Sequence, residues 1–323
     1  MRIHAEAWDG DVGTIDWLVA EDGEQLNARH QVDWDIYDDE HDFQECTPLL
    51  LAAYRGQDAA VARLLALGAD VGLQGDGGSF ATHWACFGEH SSSLALLLDA
   101  GALLDARDHL GRTPLMVAAL MGATDCVTLL LARFGDEVGG QLGMGNNNGY
   151  SVAHFACGHN RSSTLALLLD AGAPMDAHSD HGATPLMLGA ARGATDCVTL
   201  LLARFGDGVG EQLGMVDGEV DSAAHLACCF NQPSALALLL DAGASTTAPE
   251  GRGLTPLMVA AEQGAIDCVT LLLARFGDEV GEQLRMVDNE GDTAAHIACY
   301  YNERSTLALL LDAGASMTAR NNH

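Results

Sequence analysis

TPLMVAALMGATDCVTLLLARFG, residues 113 to 135, holds two short helices and the break between them. The hydroxyl of Thr113 can cap a helix N-terminus, and Pro114 brings the fixed φ that suits a first helical position. Gly122 ends that helix, because a left-handed residue at a C-terminus is most easily a glycine. The segment after it is apolar at helical spacing through Val127, Leu130 and Leu131, a face that a helix this short cannot bury alone.

The stretch recurs. TPLLLAAYRG (47 to 56), TPLMLGAARG (184 to 193) and TPLMVAAEQG (255 to 264) match it, and FATHWACFGE (80 to 89), SVAHFACGHN (151 to 160), SAAHLACCFN (222 to 231) and TAAHIACYYN (293 to 302) lie between. Units therefore start at Met1, Thr47, Phe80, Thr113, Ser151, Thr184, Ser222, Thr255 and Thr293, nine in all, at steps of 33 or 38 residues after the second. A period of this size predicts stacked supersecondary units that bury each other's apolar faces. Segments such as Asp108 to Arg112 and Asn146 to Tyr150 carry the Asx and Gly chemistry of tight hairpin turns between units.

The T-P-L-x-x-A-A-x-x-G pattern, the Leu-rich second helix and the G-A-D-like turn resemble the ankyrin repeat over the whole chain. The resemblance implies an all-α solenoid of helix-turn-helix units joined by β-hairpin-like loops, one array over residues 1–323. It also implies work as a protein-binding scaffold or adaptor, on a concave groove flanked by the hairpin tips. Three features depart from the pattern. DWDIYDDEHDFQE (33 to 45) is an insert too acidic to be buried; Val220 replaces a hairpin glycine, which predicts a distorted turn before Ser222. FGDEVGEQLGM recurs with single changes at 134 to 144, 205 to 215 and 276 to 286, predicting three similar loops on one edge.

Composition narrows the partners. The 323 residues are 48% hydrophobic and carry a formal net charge of -30, so nucleic acid and anionic membrane surfaces are repelled and a neutral or basic protein partner is favoured. All 15 basic side chains are arginine, as a GC-rich gene would supply. MRIHAEAWDGD lacks the apolar core of a signal peptide, and no run of 18 apolar residues occurs, so a soluble, cytoplasmic protein is expected, with a nuclear one also consistent. The nine cysteines follow the repeat and read as reduced, buried thiols.

His83 with Cys86, His154 with Cys157, His225 with Cys228 and His296 with Cys299 form four pairs at a spacing of 71 residues. Helices in neighbouring repeats pack about 8–10 Å apart, so pairs two repeats apart cannot share a metal whose bonds are ~2.0–2.3 Å. The histidines are expected to hydrogen-bond to the turns and the thiols to fill small core positions. No Walker motif, HExxH, GxSxG or CxxC occurs, no thiol is distinguished from the others, and neither an enzyme, a metal nor a cofactor is expected.

Repeats within one chain also show which positions vary. The segments 123–136 and 194–207 are identical, whereas the residues seven and eight after each repeat start differ freely. Those positions give Trp8, Tyr54, Arg55, Phe87, Leu120, Met121, His159, Arg192, Phe230, Gln263, Tyr300 and Tyr301 as groove candidates, rich in the aromatic anchors of protein interfaces. Phe87 is expected to be partly buried against the next repeat. Acidic hairpin tips add Asp217, Glu219, Asp221, Asp288, Glu290 and Asp292, which with the C-terminal aromatics make a seat for an Arg- or Lys-bearing segment.

The terminal units differ in kind. Arg2, His4 and Glu6 are expected to give the first unit a polar outer face, with Trp8 and Trp17 to be accommodated. The last unit reads like an internal one, which predicts an exposed apolar end face and self-association there, or coverage by a partner. The alternative function is the substrate-recognition or autoinhibitory part of a larger enzyme or ubiquitin-ligase assembly.

Overall fold

Threonine and proline begin the first helices where the repeat predicts. Thr47, Thr113, Thr184 and Thr255 are N-caps in extended backbone, each hydroxyl accepting the N–H three residues on, with proline at the first helical position. The computed structural model describes residues 2–29, 46–219 and 221–316. The acidic insert at 33–45, the turn at Val220 and the chain after Ser316 lie outside them.

The helices run in pairs: α1 Arg2–Asp9 and α2 Val12–Glu21, α3 Pro48–Tyr54 and α4 Asp58–Ala66, α5 Ala81–Phe87 and α6 Ser91–Asp99. Next come α7 Pro114–Met121 and α8 Thr124–Phe134, extended by α9 Val138–Gly143, then α10 Val152–Gly158 and α11 Ser162–Asp170. They continue with α12 Pro185–Arg192 and α13 Thr195–Phe205, extended by α14 Val209–Gly214, then α15 Ala223–Cys229 and α16 Pro233–Asp241. The last are α17 Pro256–Glu262 and α18 Ile266–Phe276, extended by α19 Val280–Gln283, then α20 Ala294–Tyr300 and α21 Arg304–Asp312. No extended strand forms among the described residues. The fold is all-α.

Two compact units divide the chain, residues 1–156 with 163–174 and residues 157–162 with 175–323. Within each, first helices pack on first helices, as α3 does on α1 and α5, and α15 on α12 and α17. Every second helix of the long repeats buries the same three side chains: Cys126, Val127 and Leu130, then Cys197, Val198 and Leu201, then Cys268, Val269 and Leu272, all with no exposed surface. Each buried Leu or Val contributes about 1.5–3 kcal/mol over its exposed state. The stack, not helix propensity, therefore holds helices of two or three turns.

Glycine ends α7 and α12 with left-handed caps at Gly122 (φ 83°) and Gly193 (φ 66°). The alternating repeats put Glu89, Asn160, Asn231 and Asn302 at the corresponding place, all with positive φ. Asparagine tolerates that region because its side chain bonds locally. The amide of Asn231 accepts the Cys268 N–H at 3.3 Å and donates to Asp267 at 3.2 Å, tying α15 to α18.

Two expectations are corrected. The FGDEVGEQLGM extensions are not loops: each turns through a 3-10 segment into α9, α14 or α19, anchored by Leu142, Leu213 or Leu284 in the interior. His4 is not on a polar outer face. It is 3% exposed, and its Nε2–H reaches the carbonyls of Ala28 at 3.0 Å and Cys46 at 3.1 Å. Arg2 lies over the exposed Trp17 ring instead.

Candidate functional site

From Asp108 onward, the first side chain of a hairpin helps to close it. Asp108 Oδ1 accepts the N–H groups of Leu110 and Arg112, and the Arg112 guanidinium meets its Oδ2 at 2.7 Å. In the second unit Asp217 Oδ1 takes the N–H groups of Glu219 at 2.9 Å and Asp221 at 3.0 Å. Asp288 Oδ1 does the same with Glu290 at 2.9 Å and Asp292 at 2.8 Å. Adjacent hairpins are joined by backbone bonds, Gly218 N–H to the His181 carbonyl at 2.7 Å and Asn289 N–H to the Arg252 carbonyl at 3.1 Å. Asp217 and Asp288 thus build the turns, leaving Glu219 and Glu290 exposed at the tips.

Beside these tips the first helices end. Phe230 and Tyr301 are the C-terminal caps of α15 and α20, exposed by 56% and 47%, and Tyr300 is exposed by 83%. The Tyr300 and Tyr301 rings meet edge to face with centroids 5.1 Å apart. A cavity of about 790 Å³ opens here, lined by both tyrosines, Arg252, Glu262, Asp288, Asn289, Glu290, Asp292, Leu254 and Ile297. Four carboxylates face one guanidinium in that lining.

Arg252 is held across the floor. Its Nη1 and Nη2 donate to Glu262 Oε1 and Oε2 at 2.8 and 2.7 Å, and its Nε lies 3.4 Å from Glu250. That bidentate bond holds the Glu262 carboxyl below its usual range, and a bond from the Tyr301 hydroxyl lowers it further while raising the phenol. Asp221 is the opposite case. Burial, then the neighbouring carboxylates of Asp217, Glu250 and Glu219, push its carboxyl up to about 6.

The remaining groove candidates divide by exposure. Arg55, His159, Arg192 and Gln263 are exposed at the ends of their first helices, and Tyr54, Phe87, Leu120 and Met121 are half-buried. Trp8 is withdrawn from the surface at 4% exposure, because Tyr54 packs on it at 5.9 Å and the Arg55 guanidinium covers its face at 4.4 Å. Tyr54 also touches Trp84 and Phe87, so the N-terminal aromatics form a packed cluster while Phe230, Tyr300 and Tyr301 remain open to solvent. Arg252 is not among the residues that the sequence points to, and Glu262, although it holds one of the variable positions seven after a repeat start, is not among the groove candidates. A signal was available: both break the pattern of their repeat, and a hairpin tip and a first-helix end face the same side.

The first three His/Cys pairs are internal braces, but the expectation of nine buried thiols fails at two, since Cys299 at the end of the last first helix is exposed and Cys229 is half-buried. His225 Nδ1 accepts the Ser222 N–H at 3.2 Å, and its Nε2–H donates to the Leu254 carbonyl at 3.1 Å, linking one repeat to the next hairpin. His83 repeats this with Phe80 and Arg112. Burial lowers the pKa of both imidazoles, favouring the neutral form that accepts at one nitrogen and donates at the other. The thiols find partners that the sequence did not suggest: Cys86 with Cys126, Cys157 with Cys197 and Cys228 with Cys268. Burial and these contacts push the first thiol of each pair up, so they are poor nucleophiles. Among the described residues, no three His, Cys, Asp or Glu side chains converge on a point that could hold a metal ion. No described helix is long and apolar enough to cross a membrane.

Comparison with known proteins agrees with this architecture. A family model described as ankyrin repeats matches in three copies, over residues 49–141, 137–212 and 214–321. The chain is 28% identical over 71% of its length to the human transient receptor potential cation channel subfamily A member 1, and 26% identical over 88% to the E3 ubiquitin-protein ligase KEG of Arabidopsis thaliana. It is 27% identical over 65% to inversin of Canis lupus familiaris. These matches span only 20%, 17% and 19% of the relatives' own lengths. Among solved structures, the human ASB11 ankyrin repeat domain is similar with a TM-score of 0.61 and 27% identity, covering 71% of this chain and 98% of that one.

Proposed function

Because the chain belongs to the ankyrin-repeat family, we propose that it is a non-enzymatic protein-interaction module whose second unit seats a basic segment of a partner protein. The observation that carries this reading is the cavity beside Tyr300 and Tyr301, where four carboxylates and two exposed aromatic rings surround a single arginine. A guanidinium or ammonium there gains charge complementarity from Asp292 and Glu290 and cation-π contact with the rings. Exposed apolar clusters tend to mark interaction sites, and tyrosine is enriched where partners anchor.

The test is binding of an arginine-scanned peptide library to the full chain and to a variant carrying Phe230→Ala, Tyr300→Ala and Tyr301→Ala, with helicity matched by circular dichroism. Retention of arginine-bearing peptides by the first and their loss by the second supports the reading. Equal retention by both moves the surface elsewhere.

A second reading is recognition or autoinhibition within a larger enzyme, such as a ubiquitin-ligase assembly. It is favoured by the match to an E3 ubiquitin-protein ligase across 88% of this chain and only 17% of that protein. This reading expects a segment held in the cavity to be ubiquitylated when the chain is tethered to a ligase catalytic domain; unmodified retention favours the scaffold.

A further inference from the structure

The acidic aromatic seat occurs twice. Asp217, Glu219, Asp221 and Phe230 stand 71 residues before Asp288, Glu290, Asp292 and Tyr301. The correspondence is structural as well, since Asp217 and Asp288 each close their turn by accepting two backbone N–H groups at Oδ1, and Phe230 and Tyr301 are the C-terminal caps of the helices that follow. The earlier copies of the position do not share the chemistry: Asn146, Asn148, Tyr150 and His159 occupy it one double repeat before. Between the two acidic seats lies the hairpin that carries Glu250 and Arg252, so two net-negative hairpins flank one that is neutral and holds the guanidinium.

Among the described residues, Arg252 is the one cation that opposes the charge of the first of these seats. Asp221 lies among the carboxylates of Asp217, Glu219 and Glu250, with Arg252 alone opposing them and already committed to Glu262. Glu219 and Glu290 stand exposed at the two tips, with Phe230 exposed at the first seat and Tyr300 and Tyr301 at the second.

Resting on the basic-partner reading above, we propose that the second unit binds an extended partner segment through two cationic side chains at once. One enters the Tyr301 cavity, the other lies against Glu219, Asp221 and Phe230, and the residue passing Arg252 is neutral or acidic. Helix packing of about 8–10 Å per repeat puts the seats roughly 16–20 Å apart. An extended chain rises about 3.3 Å per residue, so the cations stand five or six residues apart. Two adjacent arginines cannot fill both seats.

The experiment uses three labelled twelve-residue Gly/Ser peptides, with arginines at positions 4 and 9, at 6 and 7, or at 6 alone, and fluorescence anisotropy against the full chain. The first two carry equal charge. The spaced pair is expected to bind roughly tenfold or more tightly than the adjacent pair, as joined contacts at a matched span do. Phe230→Ala and Tyr301→Ala, each checked for unchanged helicity, are expected each to erase that margin. Equal affinity for the spaced and adjacent pairs overturns the two-seat inference and leaves the single cavity standing, as does a margin that survives Phe230→Ala. Failure of all three peptides to bind overturns the inference together with the basic-partner reading.

Discussion

Arg252 and Glu262 face each other in a bidentate pair, at 2.8 and 2.7 Å, joining a hairpin tip to the end of the helix that follows it. The partners are unequal: the Glu262 side chain is 7% exposed and that of Arg252 60%. Removing the arginine strands a nearly buried carboxylate with Tyr301 as its remaining donor, whereas removing the carboxylate leaves an arginine that water can solvate. Arg252→Met should therefore cost more than Glu262→Gln, about 2 against about 1 kcal/mol after allowance for the open cavity. Urea denaturation of both variants measures the order, and the reverse order would show that Glu262 is already solvated.

Asp221 makes stability fall as pH rises. Its folded carboxyl, near 6, lies above its ordinary 3.8, so its favourable contribution is complete below about 3.8 and lost as pH rises through about 6. Asp221→Asn should stabilise the chain at pH 7.5 by about 1 kcal/mol, discounted because the group is half solvated, and make little difference at pH 4. Melting temperatures at the two pH values check this; stabilisation of equal size at both would exclude titration as the cause.

The braced histidines act in the other direction. Burial holds His225 and His83 below their ordinary 6.5, so their contribution is present above that value and lost as pH falls below it. His225→Ala removes bonds to Ser222 and Leu254 at one stroke and should cost about 2 kcal/mol at pH 7. The cost should shrink at pH 5, where the wild type pays to keep the imidazole neutral. Chemical unfolding midpoints at both pH values decide it, and an undiminished cost at pH 5 would contradict the assignment.

Among the described residues, Glu89 is the one charged residue at a positive-φ non-glycine position, at φ 64°. The corresponding place is Gly56, Gly122, Gly193 or Gly264 in the other class of repeat. Glu89→Gly should raise stability by about 0.5–1 kcal/mol, relief of backbone strain outweighing the added freedom of the unfolded chain. Asn231→Gly should not, because its amide bonds to Cys268 and Asp267 are lost with it. Paired thermal melts compare the two, and equal stabilisation would mean the Asn231 bonds contribute nothing.

Much of the architecture was legible because it is local and repeated. Thr113, Pro114 and Gly122 announce a cap, a first turn and a stop, and a period of 33 residues with extensions announces stacking. The candidate site was legible in part, since the variable helix ends and acidic tips point at Tyr300, Tyr301 and Asp292 without any knowledge of distance. His4 and Trp8 were misplaced for one reason: whether a polar or aromatic side chain at a terminal repeat is exposed depends on what folds over it, here Arg55 and the carbonyls of Ala28 and Cys46.

The sequence by itself determined the helix pairs, the caps, the turn chemistry and the identity of the repeat, because each follows from residues within one turn or one period of one another. Tertiary structure decided the rest: that Arg252 spans ten residues to occupy Glu262, that thiols forty residues apart meet, and that the extensions coil into short helices over buried leucines. Those outcomes depend on the approach of side chains from different repeats, where packing geometry and desolvation, not local propensity, set the energy.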